Sequence, residues 1–125
     1  MKNFSSSWKG SKKQRKQRKY RYWAPFHIKQ KLAHSHLSKE LMKKYEKRGI
    51  GLRKGDKVKI MRGIFKKREG TVQSINLRKI KVFVTGIEVT KRDGTKRPFA
   101  LHPSNLVITE LNLDDKFRSK IFGRK

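Results

Sequence analysis

The spacing of apolar positions changes near residue 52. Beyond it, apolar and charged residues alternate: Val58 and Ile60 stand between lysines, and Ile80, Val82 and Val84 repeat the pattern. A period of two is typical of strands that bury one face and expose the other to water. The second half of the chain is therefore predicted to form a sheet.

Three further segments extend this predicted sheet. Residues 71–77 are rich in β-forming residues but alternate imperfectly, which predicts a strand with a bulge. The Asp-Gly pair at 93–94 predicts a hairpin between residues 87–91 and 96–101, and residues 106–108 supply a last strand. An open sheet of this size would leave unpaired edges, so we expect a mostly β fold whose strands close into a small SH3-like barrel.

Helical signals occur before residue 52. Pro25 suits the first position of a helix, and Ile28 and Leu32 lie four residues apart on one face of it. Ser38 is a good N-cap for a second helix that would continue to Lys47. Two short helices are therefore predicted in front of the barrel.

The net charge of the chain indicates what kind of partner this small protein binds. The chain of 125 residues has 36 Lys plus Arg against 9 Asp plus Glu, a formal net charge of +27. Repulsion at this charge density opposes compaction unless a polyanion supplies counter-charge, and nucleic acid is the obvious one. Apolar runs of three or four residues are far too short for a membrane span, so no membrane insertion is expected.

The amino-acid composition also indicates the cellular compartment and excludes some kinds of site. The chain has no cysteine, which excludes disulfides and thiolate metal sites and fits a reducing compartment. Its first residues contain no apolar stretch typical of a secretory signal. We therefore expect a cytoplasmic protein.

The distribution of charge and apolar residues divides the chain into four parts. Residues 1–23 are predicted to be a basic arm, disordered alone and ordered by RNA, because its most basic stretch has no aliphatic side chain to bury. Residues 24–51 would form the short helices, residues 52–111 the barrel, and residues 112–125 a short C-terminal tail.

The basic arm supplies the first set of candidate RNA-binding residues. Its cations can contact phosphates, and arginine can also stack on bases. Aromatic residues interleaved with them could stack on unpaired bases or could pack on the protein, and the sequence leaves both open for Trp23. The arm could also be a solvated, nonspecific basic tail. The predicted residues are Lys12, Lys13, Arg15, Lys16, Arg18, Lys19, Tyr20, Arg21 and Trp23.

A second set lies in the loop of residues 62–69, between two predicted strands. Gly63 there would permit a backbone geometry, or a close approach, that a side chain would block. The loop would present its cations around Phe65, either to RNA or to solvent. The predicted RNA-binding residues are Arg62, Gly63, Lys66, Lys67 and Arg68.

No residues suggest catalysis or a cofactor. Asp56 and Glu69 belong to predicted turns, so no carboxylate pair is placed for acid–base chemistry. His34 and His36 could be imagined as metal ligands together with the other two histidines, but they lack a carboxylate or cysteine at ligand spacing. We expect no enzyme, metal, cofactor or small-molecule substrate.

The motif and its flanks resemble a known family. Residues 52–76 read LRKGDKVKIMRGIFKKREGTVQSIN and resemble the KOW motif of ribosomal proteins and transcription elongation factors. The flanks KKQRKQRKYRYWAPFHIKQK, LSKELMKKYEKRG and DGTKRPFALHPSNLVITELNLDD make residues 12–116 similar to the archaeal and eukaryotic form of the universal KOW-bearing large-subunit ribosomal protein. Gly49-Ile50-Gly51-Leu52 replaces a usual serine and proline pairing, and predicts a looser hinge before the barrel.

This resemblance implies a structural role in the large ribosomal subunit. The implied functions are binding of large-subunit rRNA, support of early subunit assembly, and a position near the polypeptide exit tunnel. Neighbouring ribosomal proteins are implied partners, as are a nascent chain or targeting factors at the tunnel exit.

Two other functions remain open. In a KOW transcription elongation factor the barrel usually follows a separate α/β domain, whereas only about fifty residues precede it here. The second is an architectural protein that binds nucleic acid, such as duplex DNA, nonspecifically and through its charge alone.

Overall fold

The computed structural model describes residues 4–5, 7–8 and 10–123, so parts of the predicted arm (residues 1–3, 6 and 9) and the last two residues of the predicted tail lie outside it. The helices are α1 (Gln14–Trp23), α2 (Phe26–Leu32), α3 (Lys39–Tyr45) and α4 (Lys116–Phe122), with a 3-10 turn at Pro103–Asn105. The strands are β1 (His34–Leu37), β2 (Gly49–Gly51), β3 (Lys57–Ile60), β4 (Glu69–Asn76), β5 (Lys81–Val84), β6 (Glu88–Thr90), β7 (Lys96–Pro98) and β8 (Leu106–Glu110).

Six strands form one sheet in the order β2-β1-β8-β3-β4-β5. Neighbouring strands are antiparallel except β1 and β8, which are parallel. The register between β4 and β5 shifts between Val72 and Ser74, which confirms the predicted bulge. β6 and β7 pair with each other as the predicted hairpin, with Gly94 in its turn at a φ of +77°.

The sheet curls back on itself beyond the hairpin. Leu101 exchanges two backbone hydrogen bonds of 2.9 Å with Val82 of β5. The chain then passes through the 3-10 turn into β8, which pairs with β3. The result is a small barrel-like fold. Helix and strand occur in nearly equal shares, so the fold is mixed rather than mostly β as predicted.

The apolar residues of the predicted alternation form the core of this fold, as expected. Val58, Ile60 and Val82 are completely buried, and Val84 is almost so. Val89, which continues the alternation, is 43% exposed. Its strand lies in the separate hairpin, where the second face has no layer to pack against.

The residues before position 52 contribute strands that the sequence analysis missed. His34–Leu37 was assigned to no strand, but it is β1, and Leu37 belongs to the hydrophobic core. Residues 49–51 were expected to form a loose hinge, but they are β2, paired with β1. A Cβ at Gly49 would lie 2.5 Å from the carbonyl oxygen of Ser35. The glycine therefore serves close strand pairing rather than flexibility.

The predicted helices are present with adjusted boundaries. Ser38 caps α3 by accepting a hydrogen bond from the Leu41 amide, as predicted. Pro25 is the N-cap of α2 rather than its first residue. The buried side chain of α2 is Lys29, whereas Leu32 is 37% exposed.

The C-terminal segment is part of the folded domain. Its helix α4 begins after Asp115, whose side chain accepts a hydrogen bond from the Phe117 amide. Arg118 of this helix is 1% exposed and reaches Asp56, which is itself completely buried. Asp56 lies at the turn before β3, as predicted, and the buried carboxylate and guanidinium join this turn to a helix within the predicted tail of residues 112–125.

Candidate nucleic-acid interface

The loop between β3 and β4 presents its cations on a hydrogen-bonded frame. The Lys67 amide donates to the Ile60 carbonyl at 2.8 Å, and the Ile60 amide donates to the Arg68 carbonyl at 2.9 Å. Arg62, Lys66, Lys67 and Arg68 are all exposed, as predicted. The loop is therefore a shaped surface and not a loose connection.

Gly63 has a conformational role. Its φ is +89°, in the region where a side chain is strained, while a Cβ there would meet nothing within 4 Å. Of the two reasons for the glycine that the sequence left open, the turn geometry is the one that the structure shows. The exposed backbone beside Gly63 is consequently free to approach a ligand.

Phe65 anchors the loop. Its ring is 8% exposed, belongs to the core, and lies 5.2 Å from the ring of Phe99, measured between centroids. The guanidinium of Arg68 lies 5.3 Å from the centre of the Phe65 ring. A cation stacked on a buried ring has fewer orientations than a free one, so Arg68 is held ready to contact an anion.

The basic arm contains a helix where the sequence predicted no regular structure. Arg15, Lys16, Arg18, Lys19, Tyr20, Arg21 and Trp23 lie in α1, Lys13 is its N-cap, and Lys12 precedes it. The prediction of disorder rested on the lack of aliphatic side chains in this stretch. Lys, Arg and Gln are nevertheless good helix formers. No residue of α1 is buried, so the helix adds nothing to the core.

The aromatic residues of the arm differ in their surroundings. The ring of Tyr20 is half-buried and lies 5.1 Å from the ring of Phe4 and 5.5 Å from that of Trp8. Trp23 is 44% exposed and meets Tyr22 edge-on at 5.0 Å. Tyr20 thus packs on the protein, while Trp23 keeps a large exposed area.

One buried lysine connects the arm to the domain. Nζ of Lys29 donates a hydrogen bond of 2.9 Å to the carbonyl of Tyr22 in the last turn of α1. A cation is favourable at the C-terminal end of a helix, where unpaired carbonyls carry partial negative charge. Sequence reasoning missed this contact, because nothing in the sequence of α2 distinguishes Lys29, which is buried, from Lys31, which is exposed.

A groove lies beside the β3–β4 loop. The groove has a volume of about 280 Å³. Burial, then the positive charges of Lys81 and Arg21, lower the pKa of His102, and Lys81 and His102 both line the groove. The lining residues are Arg62, Gly63, Ile64, Phe65, Lys81, Phe99, Ala100, Leu101, His102 and Asn105.

The other predicted residues do not line this groove. Lys66, Lys67 and Arg68 lie on the outer part of the loop. Lys12 and Lys13 precede a helix of ten residues, which is about 15 Å long. Of the predicted residues, Arg62 and Gly63 are the ones that line this groove.

The predicted cations are electrostatically unsatisfied. Within the part of the chain that the structure describes, none of them forms an ion pair; the pairs are Arg53–Asp115, Lys57–Glu110, Lys59–Glu69 and Arg118–Asp56. Like charges three and four residues apart on α1, such as Arg15 with Arg18 and Lys19, repel each other. These cations are therefore available to bind a negatively charged partner.

The histidines and acidic residues are dispersed. Among the described residues, no three His, Asp or Glu side chains come close enough together to hold a metal ion. Partial burial lowers the pKa of His34, whose side chain lies on the more exposed face of β1. Over the same residues, no helix has the length and apolar character needed to cross a membrane.

The features above define a small sheet-rich domain with exposed, unpaired cations. Residues 11–125 match the family described as the eukaryotic ribosomal proteins L26 and their archaeal counterparts. The chain is 48% identical to large ribosomal subunit protein uL24 of Methanothrix thermoacetophila, over 91% of this chain and 98% of that protein. The proteins of the same name from Methanosphaera stadtmanae and Methanospirillum hungatei are 44% and 47% identical, over 92% and 88% of this chain and 98% and 92% of theirs.

The class is that of structural ribosomal proteins. The chain belongs to the archaeal and eukaryotic ribosomal protein family matched above, which confirms the resemblance found in its sequence. It is accordingly a non-enzymatic protein of the cytoplasmic ribosome.

Proposed function

We propose that this protein is a structural constituent of the large ribosomal subunit that binds large-subunit rRNA through its basic arm and its β3–β4 loop. The observation that carries the proposal is the set of exposed cations without acidic partners on both elements. Phosphates are the counter-charge that such a surface fits, and each neutralised phosphate releases condensed counterions. The names of the three relatives support the large subunit as the site of assembly.

The proposed residues divide the work between the two elements. On the arm, Lys12, Lys13, Arg15, Lys16, Arg18, Lys19 and Arg21 contact phosphates, and Trp23 stacks on an unpaired base. On the loop, Arg62, Lys66, Lys67 and Arg68 contact RNA beside the open backbone of Gly63. Tyr20 supports the arm by packing on Phe4 and Trp8.

The barrel-like sheet serves this function as an SH3-like KOW module. Strands β3 and β4 with their loop correspond to the KOW motif of residues 52–76, and the closure at Leu101 supports the barrel assignment. In this division residues 1–23 act as the RNA-ordered arm and residues 52–111 as the barrel. β1, β2 and α4 pack on the barrel and add to its core.

Assembly and location form the finer part of the proposal. A protein whose own charge opposes compaction gains stability when it binds rRNA, which favours early entry into the subunit. The resemblance supports a position near the polypeptide exit tunnel, with neighbouring ribosomal proteins as partners and a nascent chain or targeting factors docking on the outer face.

Sedimentation tests the proposed function. A tagged copy of the chain is expressed in its source cells, and a gentle lysate is separated on a sucrose gradient with and without RNase. We expect the protein in the large-subunit fraction, and its release when rRNA is degraded. Recovery with DNA or polymerase fractions would refute the proposal and favour a transcription factor or an architectural protein.

A further inference from the structure

The groove beside the β3–β4 loop has a lining unlike the rest of the basic surface. Its walls are mostly apolar and include Phe99, Ala100 and Leu101. Ile64, at the loop tip, is 89% exposed although every other exposed side chain from Arg62 to Arg68 is a cation. Ile64 and the groove walls together form an apolar patch, and such a patch at a binding surface indicates an apolar face on the ligand.

The rim of the groove is cationic. Arg62 and Lys81 line it, and Arg21 acts electrostatically on the His102 ring beside it. No acidic residue lines the groove among the residues that the structure describes. A ligand that enters therefore carries negative charge at its edge and an apolar surface toward the floor.

Two side chains in the lining can form directional hydrogen bonds. The side-chain amide of Asn105 makes no hydrogen bond to any described residue, so both its donor and its acceptor are available. Nδ1 of His102 lies 2.8 Å from the Ser104 hydroxyl and accepts a hydrogen bond of 3.3 Å from the Ser104 amide, so Nε2 is the ring nitrogen left for a ligand. The lining thus offers an amide and a ring nitrogen.

We propose that this groove holds one unpaired nucleobase of the bound RNA, with its ring against Ile64 and Phe99 and its polar edge toward Asn105 and His102. The inference rests on the proposed function, because the base belongs to the rRNA that the arm and loop bind. A nucleobase is flat and apolar on its faces, polar on its edge, and joined to a phosphate that the cationic rim can contact. A free phosphate has no apolar surface that could pack against the walls of the groove.

The volume supports a single base. Pockets for small molecules commonly enclose about 300 to 1,000 Å³. The groove, at about 280 Å³, lies just below that range, which fits a ligand as small as one base. A base that is paired in a duplex also hides the edge that Asn105 would contact, so the ligand is a base turned out of a helix or lying in a loop.

Two substitutions test the groove without disturbing the fold. Ile64→Ser removes an apolar surface that is already 89% exposed, and Asn105→Ala removes an amide that has no hydrogen-bond partner among the described residues. Phe117→Ser is the matched control, because Phe117 is 77% exposed but lies on α4, away from the groove. Circular dichroism checks that all three variants keep the wild-type fold.

The probe is protein-free large-subunit rRNA from the source cells. Base-specific chemical modification records the exposed edges of unpaired bases, and hydroxyl-radical cleavage records backbone contacts. We expect the wild-type protein to protect the edge of an unpaired base, and Ile64→Ser and Asn105→Ala to expose it again. The backbone footprint remains, and the affinity falls by up to about a hundredfold in Ile64→Ser, because the variant loses the burial of an apolar side chain against the base.

The outcomes separate this inference from the proposed function. If the wild-type protein gives no footprint on the rRNA, both are refuted. If all variants share one footprint and one affinity, only the base-binding groove is refuted. If Phe117→Ser exposes the same base, the protection is not made by the groove and the inference likewise fails.

Discussion

Arg118 binds the carboxylate of Asp56 through two hydrogen bonds from one guanidinium. Its Nη1 and Nη2 atoms donate to the two carboxylate oxygens at 2.6 and 2.7 Å, and the side chains are 1% and 0% exposed. Asp56 also accepts hydrogen bonds from the amides of Arg53 and Asn112. The pair therefore joins the turn before β3 to the C-terminal helix, inside the domain.

Arg118→Met should destabilise the domain strongly. The substitution leaves a buried carboxylate without its partner, and the free energy of unfolding is expected to fall by about 3–5 kcal/mol. Urea unfolding followed by circular dichroism measures the change. Lys57→Ala is the control, because it breaks the exposed pair with Glu110 and should leave the midpoint nearly unchanged. Equal effects of the two substitutions would contradict the role of the buried pair.

Lys29→Met should release the arm from the domain while the sheet stays folded. The variant keeps the length of the side chain but loses the hydrogen bond to the Tyr22 carbonyl, worth about 1 kcal/mol. Amide hydrogen exchange is expected to become faster in residues 14–23 and to stay slow in β3 and β8. Lys31→Met, on the exposed side of the same helix, is the control. Unchanged exchange in α1 would show that Lys29 does not hold the arm.

Removal of residues 1–23 should weaken RNA binding and flatten its salt dependence. Each phosphate contact contributes about 0.7 to 0.9 to the slope of log K against log salt, so loss of the seven predicted cations lowers the slope by up to about five or six. Filter binding at several salt concentrations measures it. A chain without residues 1–11 keeps those seven cations and should keep most of the slope. The same slope in the longer deletion would mean that the arm does not contact phosphates.

Replacing Lys66, Lys67 and Arg68 together by Glu should abolish the preference for rRNA over duplex DNA of equal length. The arm would still bind both nonspecifically, because its cations are intact. Competition binding measures the preference. The matched control places three glutamates at Lys91, Arg92 and Lys96, which are exposed on the hairpin and have the same total charge. A retained preference would move the recognition surface away from the β3–β4 loop.

Mild acid should reduce the free energy of unfolding before any carboxylate titrates. Burial lowers the pKa of His34, and burial with Lys81 and Arg21 lowers that of His102, so the unfolded chain takes up protons first as the pH falls from about 7.5 toward about 5.5. Stability is therefore full above the ordinary histidine pKa and declines below it. Thermal unfolding across this range detects the decline. The double variant with glutamine at both positions should show a smaller one; an identical decline would assign it to other groups.

Elements with local signals could be predicted from the order of the residues alone. The alternation around Val58 and Val82 predicts buried strand faces, Ser38 caps a helix through its own side chain, and the Asp-Gly pair closes a hairpin of adjacent strands. Exposure of the loop cations follows from their cost of burial, and the family resemblance follows from the motif and its flanks. These predictions depend on neighbours within a few positions.

Contacts between distant residues, by contrast, were established by the folded chain. The pairing of β1 with β8 depends on backbone hydrogen bonds between segments about seventy residues apart, and the spacing of side chains carries no trace of it. Asp56 and Arg118 are ordinary charged residues until the fold removes both from water at one point. The groove at Ile64 exists because the loop, the end of β7 and the 3-10 turn converge there. Charge along the chain thus predicts a polyanion as partner, and convergence in space supplies the surface that would recognise it.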